Sequence, residues 1–87
     1  MLLGADSPAL RLLASKLEQI SGRLSAIEGS VSGRVETMNW RGPDADNFRT
    51  NWGSTSAPSM RDAAATLNDA ANAIRGDAQR QDQISGC

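Results

Sequence analysis

Met38-Asn39-Trp40-Arg41-Gly42-Pro43-Asp44-Ala45-Asp46-Asn47-Phe48 stands near the middle of an 87-residue chain, and its reading decides the fold. Gly42 can take backbone angles that a side chain forbids, so the chain can reverse there. Pro43 suits the first position of a helix, where its missing N–H is not needed. Asp44 and Asp46 follow it, favourable at the positive end of a helix dipole. Trp40 is a large apolar plate with a single N–H donor. At a chain reversal it can cap the end of a bundle or be presented to a partner.

Upstream of this stretch, Asp6-Ser7-Pro8 reads as a helix start, with Ser7 the expected N-cap and Pro8 the first helical residue. Apolar residues then recur at Leu10, Leu13, Leu17, Ile20, Leu24, Ile27, Val31, Val35 and Met38, in steps of three and four. That is a heptad-like seam on one helix face. The spacing predicts a helix over about 7–38, roughly 48 Å long. Gly22, Gly29 and Gly33 each cost up to about 1 kcal/mol against Ala. They are either tolerated because packing holds the helix, or they let a neighbouring helix approach closely.

Downstream, Phe48 and Trp52 lie four residues apart on one helix face. Met60, Ala63, Leu67, Ala70, Ile74 and Ala78 continue at steps of three and four, an alanine-rich seam suited to close helix approach. Gly53-Ser54-Thr55-Ser56-Ala57-Pro58 is weak helix former, and Pro58 removes a backbone hydrogen bond. The expectation is a helix over about 43–80, bent near 54–58, with a frayed tail over 81–87. Two long helices joined only by residues 39–42 must fold back on each other.

The fold class is therefore all-α: a single domain over 1–87, built as an antiparallel two-helix hairpin. Such a hairpin encloses no core, and its apolar stripe exceeds what monomers usually leave exposed. Pairing with a second hairpin into a four-helix bundle is the simplest remedy. The dimer seam is expected along Leu10, Leu13, Leu17, Ile20, Leu24, Ile27 and Val31 of the first helix and Met60, Leu67 and Ile74 of the second. The first helix carries a net charge of plus one and the second, counted with Asp82 of the tail, of minus two. That weakly favours their antiparallel contact.

Composition narrows the function. Nine Lys and Arg against ten Asp and Glu leave no basic footprint for nucleic acid or an anionic membrane. Trp40, Phe48 and Trp52 are the whole aromatic complement, too few for a base-stacking platform. Histidine is absent and Cys87 is the sole thiol, so no Cys/His metal site and no His-based catalytic triad can be assembled. Asp44 and Asp46 are not followed by a calcium-loop pattern. No catalytic residue, cofactor or metal is expected, and the chain reads as a protein that is not an enzyme. Cys87 is either a free thiol on a loose end or an intermolecular disulfide in an oxidising compartment. No run approaches the roughly 18 apolar residues of a membrane span, so no stable membrane insertion is expected. The opening Met1-Leu2-Leu3-Gly4-Ala5-Asp6 lacks a positive region ahead of an apolar core, so any export is expected without a cleaved signal peptide.

Trp40-Arg41-Gly42, centred between two helices in a chain of this length, resembles the WXG family of small type VII secretion substrates, which includes the early secreted antigenic target proteins. The spacing of Phe48 and Trp52 after the motif is similar as well, and the resemblance covers nearly the whole chain in length, helix pairing and turn position. It implies a homodimer, or a heterodimer with a related hairpin, in an antiparallel four-helix bundle. It implies export by a membrane-bound secretion ATPase, or an adaptor role for toxin cargo. Trp40 and Gly42 would then serve partner recognition, with Phe48 and Trp52 packing the hairpin beside them. One departure stands out: the Tyr-x-x-x-Asp/Glu export signal of many members is missing, since the chain has no Tyr. A cytoplasmic helical assembly module that never leaves the cell is the alternative.

Overall fold

The computed structural model describes residues 6–85. Helix α1 runs Ser7–Thr37, α2 Pro43–Asn51 and α3 Ala57–Ser85, with a π-helical turn, Trp52–Ser56, joining the last two into one helical run. Among the described residues there is no strand. The molecule is a rod of 66 × 16 × 14 Å.

Helix α3 runs back along α1. Arg11 pairs with Asp82, Glu18 with Arg75 and Glu28 with Arg61, so the start of one helix lies beside the end of the other. The Arg11–Asp82 and Glu18–Arg75 pairs are open to solvent and screened by it, so they add little to stability. They report register more than they supply stability.

The helix start differs from expectation. Asp6, not Ser7, is the N-cap: its backbone is extended and its Oδ1 accepts from the Ala9 N–H at 2.8 Å. A carboxylate gains from the helix dipole where a hydroxyl does not. At the other end α3 continues through Ser85, past the fraying expected from residue 81, and the Arg11–Asp82 pair ties its last turns to α1. Cys87, with its expected free thiol or disulfide, lies outside the described residues.

The weak stretch before Pro58 becomes the π turn. The Ala57 N–H bonds to the Trp52 carbonyl, five residues back. Pro58 has no N–H to offer and its ring crowds the carbonyl four residues earlier, so a widened turn relieves both problems.

The core is made of small residues. Ala14, Ala57, Ala64, Ala71 and Ala78 are buried between α1 and α3, together with Ser21, whose Oγ donates to the Ala64 carbonyl at 2.7 Å. On α3 these alanines recur every seven residues. Beside them run half-buried rows: Leu10, Leu17, Leu24, Val31 and Val35 on α1, and Met60, Leu67 and Ile74 on α3. Interaxial distance depends on the side chains at the contact, so alternating small with large lets the helices approach closely.

The apolar row of α1 divides in two. Leu13, Ile20 and Ile27 are 48%, 45% and 52% exposed, and Met38 is exposed as well. The contact with α3 is made one residue further on, by Ala14, Ser21 and Glu28. On α3, Ala64 is likewise the buried residue and Ala63 is exposed. Gly22, Gly29 and Gly33 face open space, with no atom near a Cβ built on them, so they do not admit α3.

Candidate functional site

The molecule's aromatic residues gather where the chain reverses. Met38 ends α1, and Asn39, Trp40 and Arg41 lead to Gly42, which caps α2 with φ 115° and ψ 177°. That conformation is essentially restricted to glycine. Pro43 then opens α2, and Ala45 is buried beneath it.

The reversal places Trp40 beside Phe48, ring centres 5.8 Å apart and tilted, and Phe48 beside Trp52, 6.4 Å apart and nearly parallel. Trp40 is 40% exposed and Phe48 is similarly open. Trp52 is half-buried, and its indole N–H donates to Ser32 Oγ at 2.8 Å. Ser32 in turn donates to Glu28 Oε2 at 2.6 Å, and Arg61 Nε donates to Glu28 Oε1 at 3.1 Å. The hydrogen bond from Ser32, aided by Arg61, holds the Glu28 carboxyl below its ordinary pKa. A chain of polar contacts thus anchors the inner end of the aromatic ladder to α1 and α3.

Arg49 fixes the outer end. Its Nε donates to the Val35 carbonyl at 2.9 Å and its Nη2 to the Met38 carbonyl at 3.2 Å. The last carbonyls of a helix have no partner within it. A guanidinium reaching across from α2 satisfies two of them and favours the negative end of the α1 dipole. Arg49 escaped the sequence reading, because nothing in its local pattern tells which carbonyls lie across the turn.

An open cavity of about 400 Å³ sits at this tip, lined by Glu36, Met38, Trp40, Arg41 and Arg49 among others. Its charges are mixed, with Arg49 committed to carbonyls and Arg41 donating to Asn39. Among the described residues there is no group of three or more metal-ligating side chains. No helix of the described residues is long and apolar enough to cross a membrane.

The residues singled out by the sequence therefore divide. Trp40, Gly42, Phe48 and Trp52 come together at one end of the rod. Leu10, Leu17, Leu24, Val31, Met60, Leu67 and Ile74 line the contact between α1 and α3, while Leu13, Ile20 and Ile27 stand beside it in the open. No protein-family model, curated protein or solved structure matches the chain.

Proposed function

We propose that the chain is a non-enzymatic helical hairpin that acts by docking its exposed apolar surface onto other helices. In this reading it pairs with a second hairpin into a four-helix bundle and is a substrate of, or an adaptor for cargo of, a type VII secretion system. The observation that carries the reading is the Trp40-Arg41-Gly42 tip: an open indole on a glycine-only turn, stacked through Phe48 onto an anchored Trp52. An exposed tryptophan on a rigid base fits a recognition element, because tryptophan is enriched at binding hot spots. The secretion ATPase or a toxin cargo is the proposed partner class, and the route is secretion without a cleaved signal peptide.

The missing tyrosine favours a second reading, a cytoplasmic helical assembly module. Fractionation separates the two. Finding the chain in the medium with an intact N-terminus, dependent on the secretion ATPase, supports the first reading. Complete retention in cells expressing a working secretion system supports the second.

A further inference from the structure

A second hollow, of about 280 Å³, opens beside the π turn, between α1 and the start of α3. Its apolar lining is Val35, Trp52 and Ala57. Gly53 lines it too, and a Cβ built there meets nothing within 4 Å. Glu36 and Arg49 line both this hollow and the cavity at the tip. The two are therefore the ends of one groove, which crosses the last turn of α1. Met38 and Trp40 line its outer end, Val35 and Trp52 its inner end. The Arg61–Glu28 pair sets the inner end level with Glu28. From there to Met38 is roughly 15 Å of helix.

The charges along this groove differ in what they already hold. Arg49 donates to the Val35 and Met38 carbonyls, and Arg61 to Glu28. Arg41, at the outer end, donates to Asn39 through Nε and keeps its terminal nitrogens for a further carbonyl. Glu36, at the centre, is exposed and makes no ion pair or side-chain hydrogen bond among the described residues. It also stands in the last turn of α1, at the negative end of the helix dipole, where a carboxylate is disfavoured. An anion so placed, with an indole to either side, is complemented by a cation that has apolar neighbours.

We propose that the groove binds an extended segment of a partner protein, with a Lys or Arg seated on Glu36 and an apolar side chain on either side of it. One apolar side chain lies against Met38 and Trp40, the other against Val35 and Trp52. The inference rests on the docking role proposed above and names the chemistry of what docks. In an extended chain every second side chain faces the same way, at intervals of about 6.6 Å. Residues i, i+2 and i+4 then span roughly 13 Å, close to the length of the groove. The segment therefore reads apolar-x-basic-x-apolar. An acidic segment would set its carboxylate against Glu36 and the α1 dipole. A second folded copy of this chain offers no such segment: each Lys and Arg except Arg41 lies on a helix, and Arg41 has Asn39 two places before it.

The test titrates the full-length chain with two blocked peptides, acetyl-Leu-Ser-Lys-Ser-Leu-amide and its counterpart with Glu in place of Lys. The readout is the pair of indole N–H signals in the NMR spectrum, since Trp40 and Trp52 are the only tryptophans. The lysine peptide, taken to about 5 mM, is expected to shift both signals saturably, and the glutamate peptide to bind at least about tenfold more weakly. Glu36→Lys should invert that preference. Gly53→Leu, which puts a side chain where the hollow is open, should weaken the lysine peptide about tenfold. Circular dichroism checks that both variants fold. No saturable shift, equal binding of the two peptides, or a folded Glu36→Lys protein that keeps the parent's preference overturns the proposal. A shift of Trp40 alone overturns the continuous groove. Export tells this failure from failure of the reading beneath it. A chain found in the medium that binds neither peptide loses the groove and keeps the secretion role. A chain retained in cells that still binds the lysine peptide keeps the groove and loses the route.

Discussion

The Trp52 indole N–H reaches Ser32 Oγ at 2.8 Å, joining the aromatic ladder at the tip to the body of α1. The two residues lie 20 positions apart, and their contact needs both the reversal at Gly42 and the run of α2 into the π turn. Ser32 both accepts from Trp52 and donates to Glu28. Ser32→Ala should therefore strand a half-buried indole N–H and weaken the hold on Glu28. A loss of about 1–3 kcal/mol is expected, measured by urea unfolding of the purified chain. An unchanged midpoint would mean that water replaces Ser32 without cost.

Acid should loosen the rod from two places. Glu28, held by Ser32 and Arg61, and Asp82, held by Ser7 and Arg11, both have pKa values lowered from their ordinary 4.5 and 3.8. A lowered folded pKa means that the unfolded chain binds protons first. The stabilisation is therefore complete above the ordinary values and fades as the pH falls through them and then through the folded ones. Thermal melts should be flat above about pH 5.5 and fall below pH 4.5. Glu28→Gln with Asp82→Asn should flatten that fall. A double variant with the parent's acid profile would place the sensitivity elsewhere.

Much of this architecture was legible in the sequence, for physical reasons that differ by element. Pro8, Gly42 and Pro43 act locally through their own backbones, so the helix starts could be read from them. The seven-residue rhythm also marked the facing sides of α1 and α3. What hydrophobicity could not tell was which of two adjacent rows α3 covers. Leu13, Ile20 and Ile27 are the more apolar choice, yet Ala14, Ser21 and Glu28 make the contact. The strict sevenfold recurrence of Ala57, Ala64, Ala71 and Ala78 carried that information, because close helix packing selects for size before greasiness. Arg49 and Ser32 were hidden altogether, since their partners are set by tertiary placement.

Trp40 separates fold from recognition. A fully buried tryptophan cut to alanine costs about 3–5 kcal/mol, but Trp40 is 40% exposed and packs mainly on Phe48. Trp40→Ala should cost less than that range and leave a folded helical protein, while abolishing export. The measurement pairs a melting curve with the ratio of protein in the medium to that in the cell pellet. A folded variant exported at the parent's ratio would leave Trp40 as packing alone.

The π turn sets the rotation of α2 against α3. The turn already absorbs one extra residue, so inserting an alanine after Thr55 should rotate α2 by about 100° relative to α3. Trp52 would then miss Ser32, and Arg49 would miss the carbonyls of Val35 and Met38. Losing these three hydrogen bonds should cost about 2–4 kcal/mol at about 1 each and shift Trp fluorescence toward that of a solvated indole. An insertion variant as stable as the parent, with unshifted emission, would show that the turn widens again and does not set the rotation.

Gly42 gives the sharpest separation of conformational strain from contact. Its φ of 115° with ψ of 177° belongs to a region that only glycine enters readily, and a Cβ built on it meets nothing within 4 Å. The penalty for a side chain there is thus one of handedness. Gly42→Ala should cost about 1–3 kcal/mol, and Gly42→Val more, because its branched side chain narrows the backbone further. Assembling the chain chemically with D-alanine at position 42 inverts the argument. For a D-residue these angles mirror ordinary extended backbone, so the strain is absent. The D-alanine protein should therefore match or exceed the parent in melting temperature, since it also restricts the unfolded chain. Equal losses from L- and D-alanine would mean that the methyl group itself is excluded, and that the turn is held by contacts at Gly42 and not by its backbone angles.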